Sequence, residues 1–495
     1  LFYHFFPPPF PATAGALPAA TEAESAWWGL WPIRYLPAAV VTGALFVWLF
    51  CLVGCWLVIL SSGRANKRES SPALLTTEPS LPRKPSAARL WLVVLAMLLT
   101  GAFFLFPIAH TRWGDAYLLS KSISWPDPAL RLTYSWQAPL DVFIHSQLWL
   151  WGHVRFGWEE ATPVYRLLSP LAGLVYLGAT LALGRHEQLW PAWLVFALLT
   201  TLGLVQLFFG YVENYSLAAA GLLVYLYFGL ETLQGRQTLW PAAIALALTN
   251  ALHPSTVVLA PSLFYLGWCK VGRSRERNKS PWPVVYSIVI PMLFVALGTI
   301  LLMERGGHGL VALLTTDRPG GGDARPFVPL WNVQTRWEQY TMFSWLHLRD
   351  LLNQQGLVAP VVWPAIIWLS IVEYRSARID RAQAESHLEP SARSARATAD
   401  LLYTRYTAQA RLFLAIAALS YLLFICVWNP DYGGQRDWDL FSLSALPATL
   451  WLAALLTRAL QYRRYLLAGA APLILLQAWH TGSWVYQNTL PWLWP

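Results

Sequence analysis

A chain of 495 residues that is 56% hydrophobic and only 12% charged lies outside soluble globular composition and inside the polytopic membrane class, which excludes a secreted enzyme held by a single anchor. Its net charge of +9 points to nucleic acid only where the basic residues form a binding face, and here they fall in linkers between apolar runs. The 29 Trp and 21 Tyr suit anchoring at two membrane interfaces, because each ring is apolar and carries one polar group.

Residues 1–33 form a proline-rich outer segment without the charged start of a signal peptide. Residues 34–61 predict an extra first transmembrane helix, and 62–89 a cytoplasmic linker rich in Ser, Arg and Pro. From there, apolar runs near 90–109, 164–183, 190–210, 215–233, 238–252, 255–269 and 282–302 make a module over 90–302 with an outer loop at 110–163. A second long outer loop covers 303–356. Residues 357–495 supply runs near 357–374, 411–428, 442–458 and 465–482, separated by a cytoplasmic linker at 376–410, helical from about Ala397 to Gln409, and an outer loop at 428–441. An all-α polytopic protein with about twelve crossings follows, since roughly 20 residues at 1.5 Å each span the hydrocarbon. The four cysteines, Cys51, Cys55, Cys269 and Cys426, lie in or beside these runs without metal spacing and read as small buried hydrophobes.

With alternating crossings, the basic stretches "SSGRANKRES", "KVGRSRERNK", Arg375–Arg411 and "RALQYRR" share one side, which the positive-inside rule makes cytoplasmic. Both termini and the acid-rich loops then face outward, in an inner (cell) membrane. Basic residues thus report topology, and nucleic acid is not an expected partner.

The first outer loop opens with "HTRWGDAYLLSK", placing Arg112 and Asp115 at the mouth of a crossing. It continues through "SWQAPLDVFIHSQLWLWGHVRFG", where Leu140, Phe143, Ile144, Leu148 and Trp151 recur at helical spacing and predict an interfacial helix. "RLLSPLAG" from Arg166 then enters the next crossing. The order of Asp115, Ala138-Pro139-Leu140, and Arg166-Leu167-Leu168-Ser169 with Leu171 and Gly173 resembles the GT-C superfamily of polyprenyl-phosphate-sugar glycosyltransferases, of protein-mannosyltransferase and aminoarabinose-transferase type. The resemblance covers about residues 90–300. It departs at Gln137-Ala138-Pro139, where many relatives have His-Pro-Pro.

The resemblance implies that Asp115 is the general base on the acceptor. A hydroxyl is a poor nucleophile until a carboxylate takes its proton, and the departing phosphate needs fixed positive charge or a metal. The bland alternative for Asp115 is a helix cap, and for Arg112 a guanidinium snorkelling to a headgroup rather than holding the donor phosphate.

Three further clusters are expected on the outer face. In "FFGYVENYSL", Glu213 and Asn214 lie in a short turn between crossings, either assisting the acceptor or, with Asp115, holding Mg²⁺ or Mn²⁺. In "LTNALHPSTVVLAP", the flanking runs are too short for the full bilayer, so His253, with Asn250 nearby, sits below the surface and is assigned to the donor phosphate or to a neighbouring helix. In "WNPDYGGQRDWDLFSLSALP", Arg436 is a phosphate candidate and Asp437 and Asp439 acceptor or metal candidates, with two glycines allowing close approach. The loop 303–356 predicts a surface helix near 340–353, with His308, Asp317, Arg318 and Arg325 as acceptor contacts or solvated surface.

The expected function is transfer of a sugar from a polyprenyl-phosphate donor to a protein, glycan or lipid acceptor among membrane lipids. A secondary transporter or flippase is the rival, because short helices meeting at His253 suit a broken-helix site. A catalytically silent scaffold subunit of the same fold is the third reading.

Overall fold

The computed structural model describes residues 26–65, 87–111, 113–276, 278, 280–315, 325–335, 337–384, 395–430, 433–460 and 462–490. After a 3₁₀ segment, Trp28–Tyr35, come α1 (Ala38–Ala65), α2 (Ala87–Leu105), the short α3 (Ala116–Ile123), α4 (Pro139–Phe156), α5 (Thr162–Leu183) and α6 (Ala192–Thr200). The middle of the chain forms α7 (Ser216–Gln234), α8 (Trp240–Leu252), α9 (Ala260–Glu276), α10 (Trp282–Arg305) and α11 (Leu310–Thr315). The last part forms α12 (Trp345–Val358), α13 (Val362–Ala384), α14 (Ala395–Val427), α15 (Trp438–Ser442), α16 (Ala445–Ala459) and α17 (Arg463–Thr489). Among the described residues there is no strand, only one isolated bridge between Phe327 and Trp428.

Each of the twelve predicted runs is helical, and the protein is a multi-pass all-α membrane protein. Among the described residues six helices are individually long and apolar enough to cross, and the pair α12–α13, bent by 98°, makes a seventh if it counts as one broken span. The remaining runs are shorter or interrupted. The predicted run 190–210 illustrates why. After α6, Leu202 turns extended, and the chain resumes as a 3₁₀ segment, Gly203–Phe208. A break inside an apolar core strands carbonyl groups that hydrocarbon cannot satisfy. Here Gln477 of α17 donates to Leu198 O at 2.9 Å and to Thr201 Oγ1 at 3.0 Å, and Thr481 donates to Thr201 O. The run 255–269 is interrupted likewise, by a 3₁₀ segment at Pro254–Leu259 ahead of α9.

Burial sorts the helices into layers. The apolar windows of α1 and α10 are almost wholly on the outside, with Phe46, Phe50, Phe294 and Leu301 exposed. Such side chains are at no disadvantage against acyl tails, which are as apolar as they are. Helix α7 and the α15–α16 stretch lie at the centre; α7 packs on α5 and α8, α16 packs on α14, and α17 holds α1. In α4 the polarity is turned inside out. Leu150, Trp151, Val154 and Phe156 face outward, while Asp141, His145, Ser146 and Trp149 face the protein. That is the orientation an interfacial helix needs when its outer surroundings are lipid. The surface helix expected near 340–353 is α12, and the helical stretch expected after Ala397 is the start of α14.

Candidate functional site

The site is assembled on the turn Phe209–Tyr215, between the 3₁₀ segment and α7. Ser169 donates to Tyr211 O at 3.0 Å and Ser216 to Leu207 O at 2.9 Å, so the "RLLS" serine fixes this turn to α5. The turn carries Glu213, 4% exposed, and Asn214, 6% exposed. Against it lies the start of α3. The main-chain N–H of Asp115 donates to Glu213 Oε1, and that of Asn214 to Glu213 Oε2 at 3.3 Å. Asp115 occupies the N-cap position of α3, yet its side chain makes no capping hydrogen bond.

Gly114 makes this approach possible. Its φ is +51°, a left-handed conformation that an L side chain adopts at a cost. A Cβ there would collide with the Glu213 carboxylate and stand 3.1 Å from Asp439 Oδ2. The Gly114 N–H donates to Arg436 O at 3.1 Å, joining the loop 110–163 to the loop before α15. Asp439, 2% exposed, accepts from Tyr211 Oη at 2.8 Å and from its neighbour Leu440 N at 2.9 Å. Behind these groups stands an indole wall. Trp484 of α17 meets Trp113 at 5.1 Å and Trp438 at 5.6 Å between ring centroids, and Trp113 Nε1 donates to Asn488 Oδ1 at 2.8 Å.

Burial holds the Glu213 carboxyl well above the usual carboxylate range, and the charges of Asp439 and Asp115 push it the same way against the two main-chain donors. Tyr215 is likewise pushed up, by burial first and then by the charges of Asp439, Glu213, Asp437 and Asp115. The Tyr215 ring lies 4.5 Å from that of His253, which is buried and accepts Ser255 N–H at Nδ1. His253 thus stands one ring behind the carboxylates. Asn250 turns aside, its Oδ1 accepting from Thr256.

The structure therefore brings Asp115, Glu213, Asn214 and Asp439 together, with Asp437 half-buried beside them and His253 reached through Tyr215. Arg436 joins through its main chain, while its side chain is exposed. Arg112 lies outside the described residues, as do Asp317 and Arg318. Arg325 is 3.4 Å from Glu338, and His308 stacks on Tyr134. Among the described residues no three His, Cys, Asp or Glu side chains are placed to hold a metal ion together.

No known protein family and no curated protein matches the chain. Among solved structures it is similar to ArnT from Cupriavidus metallidurans in the apo state. The identity is 15% and the TM-score 0.41, over 75% of this chain and 60% of ArnT. The chain thus spans three-fifths of that protein's length.

Sequence reasoning missed the partners that complete the site. Tyr211 sits inside the quoted turn motif, but its bond to Asp439 joins residues 228 positions apart, which no local pattern announces. Asp141 and His145, four residues apart, are buried on α4, and no quoted motif singles them out.

Proposed function

We propose that this chain is a GT-C type glycosyltransferase that moves a sugar from a polyprenyl-phosphate donor to an acceptor at the outer face of a cell membrane, both termini lying on that face. The observation that supports it most is the meeting of Asp115, Glu213 and Asp439 around Gly114, which gathers acids from three distant outer segments. Two neighbouring acids in unlike surroundings divide acid and base roles. Glu213 is buried, its carboxyl is held well above the usual range, and it fixes the Asp115 main chain, so the half-buried Asp115 is assigned as the base.

In the proposed step Asp115 takes the acceptor hydroxyl proton as the oxygen bonds to the anomeric carbon. The bond from that carbon to the phosphate oxygen breaks, and polyprenyl phosphate leaves with the electron pair; the configuration inverts. His253, Arg436 and Arg112 are assigned to the phosphate, and Glu213, Asn214, Asp437 and Asp439 to orienting the acceptor. The loops 110–163, 303–356 and 428–441 form the outer surface over the transmembrane module 90–302. Protein, glycan and lipid acceptors all present a nucleophile of this kind. The test is transfer from a panel of polyprenyl-phosphate sugars by purified wild type and Asp115→Asn. Loss of about 10²–10⁴-fold is expected for removal of a general base. Undiminished transfer by the variant would remove Asp115 from that role, and no transfer from any donor by wild type would remove the reading.

A further inference from the structure

Beside the carboxylates lies a second buried polar group that the step above does not use. Asp141 and His145, 0% and 2% exposed, sit one turn apart on the inward face of α4. The imidazole Nδ1 is 2.8 Å from Asp141 O and 3.0 Å from Asp141 Oδ2. The His145 imidazole, 3.0 Å from Asp141 Oδ2, is the group placed to compensate that buried carboxylate. On its other side the imidazole stacks on Tyr165 of α5, ring centroids 4.0 Å apart. Tyr165 is fully buried, its hydroxyl has no hydrogen-bond partner among the described residues, and its ring packs in one apolar cluster with Ala116 and Val212. Those two residues are the chain neighbours of Asp115 and Glu213. The dyad is therefore one aromatic ring away from the proposed base.

We propose that Asp141 and His145 are positioning residues that hold Tyr165 against the Asp115–Glu213 backbone and keep the electrostatic field behind those carboxylates neutral. This rests on the sugar-transfer reading. Burial alone would lower the His145 pKa, and the Asp141 charge and hydrogen bonds outweigh it, so the imidazolium is favoured where it sits. The other ionisable groups on packed elements are few. Helix α5 offers Tyr165 and the exposed Arg166, α3 offers Tyr117 and Lys121, the latter paired with Glu160, and α10 offers Tyr286, Glu304 and Arg305. Helix α8 has no ionisable side chain, Arg131 lies over the Trp149 ring, and α4 itself adds His153 and Arg155. None of these takes the place of the imidazolium beside Asp141.

The sign of the effect is what separates this role from simple packing. His145→Gln leaves an uncompensated negative charge behind Glu213 and Asp115, so the acid limb of the pH–rate profile moves upward, by about one unit for a charge this near. Asp141→Asn moves it the other way or not at all. The double variant, neutral again, returns toward the wild-type limb. Thermal unfolding of the detergent-purified full chain gives a readout without substrate. The His145 variant loses stability as pH rises above about 4, where unfolded Asp ionises, and the Asp141 variant loses it as pH falls through about 6.5, where unfolded His gains its proton. Shifts of the same sign in both single variants, or an unmoved acid limb in both, overturn the inference while leaving the sugar-transfer reading intact if Asp115→Asn is inactive. Full activity in Asp115→Asn, or no turnover by wild type, overturns both.

Discussion

Gly114→Ala is the sharpest perturbation of the proposed site, because it adds one methyl group at the point where three segments meet. Two costs combine. The left-handed backbone, φ +51°, costs an L-residue about 1–2 kcal/mol. Overpacking against the Glu213 carboxylate and Asp439 adds about 1–3 kcal/mol. The chain can relieve the second cost only by moving Glu213 away, which breaks the bond from the Asp115 main-chain N–H. Either way Asp115 shifts, and a displacement of about 1 Å at a reacting group costs on the order of 10²-fold in rate. The assay is turnover of the active polyprenyl-phosphate sugar beside thermal unfolding in detergent, with Gly178→Ala as control, since no atom lies within 4 Å of where its Cβ would stand. If Gly114→Ala keeps wild-type turnover and melting, the close approach constrains nothing and the site as built here is wrong.

Three other outcomes follow from the same geometry. Glu213, whose folded pKa is raised, contributes stability that is present below its unfolded pKa of about 4.3 and is lost as pH rises; Glu213→Gln removes that loss, so its melting temperature gains on wild type between pH 5 and pH 8 as measured in detergent, and a gap that stays constant with pH refutes the assignment. Tyr211→Phe keeps the ring contact with Trp438 but deprives Asp439 Oδ2 of its donor, with an expected cost of about 1–3 kcal/mol in chemical denaturation, and an unchanged midpoint would show that the bond carries no net energy. Gly434→Ala drives a Cβ into Asp350 and Gln354 of α12, so turnover should fall through displacement of the loop bearing Asp437 and Asp439; wild-type kinetics would show that the loop moves freely.

The apolar runs were legible because hydrocarbon demands about 20 continuous apolar residues, and every run is helical, with 190–210 and 255–269 interrupted. Asp115 and Glu213 were legible from the order and sidedness of short motifs around them. What could not be read was which face of a helix is buried. In water, the apolar face of α4 would turn inward; beside lipid it turns outward, and periodicity alone is the same for both. Asp141 and His145 fall within the predicted loop 110–163, and the structure buries both. Long-range partners were equally silent. Asn488 binds Trp113 across 375 positions, and Asp350 accepts from Trp28 across 322.

Those distant bonds decide how the site is held. Asp115 follows Trp113 and Gly114, and both are tied to distant segments: Trp113 is bonded to Asn488 and packed on Trp484, and Gly114 is bonded to Arg436 O. The other acids depend on the same end of the chain. Trp484 also packs on Trp438, the residue before Asp439, and α17 satisfies the break after α6 from which the Glu213 turn departs. The polar groups that α17 spends on Leu198, Thr201 and Trp113 would be costly in hydrocarbon without these partners, and the break and the first outer loop would be strained without them. One helix near the C-terminus thus sets the relative placement of Asp115, Glu213 and Asp439, so the geometry around Gly114 is a property of the whole described chain rather than of the module 90–302 in which its first two acids lie.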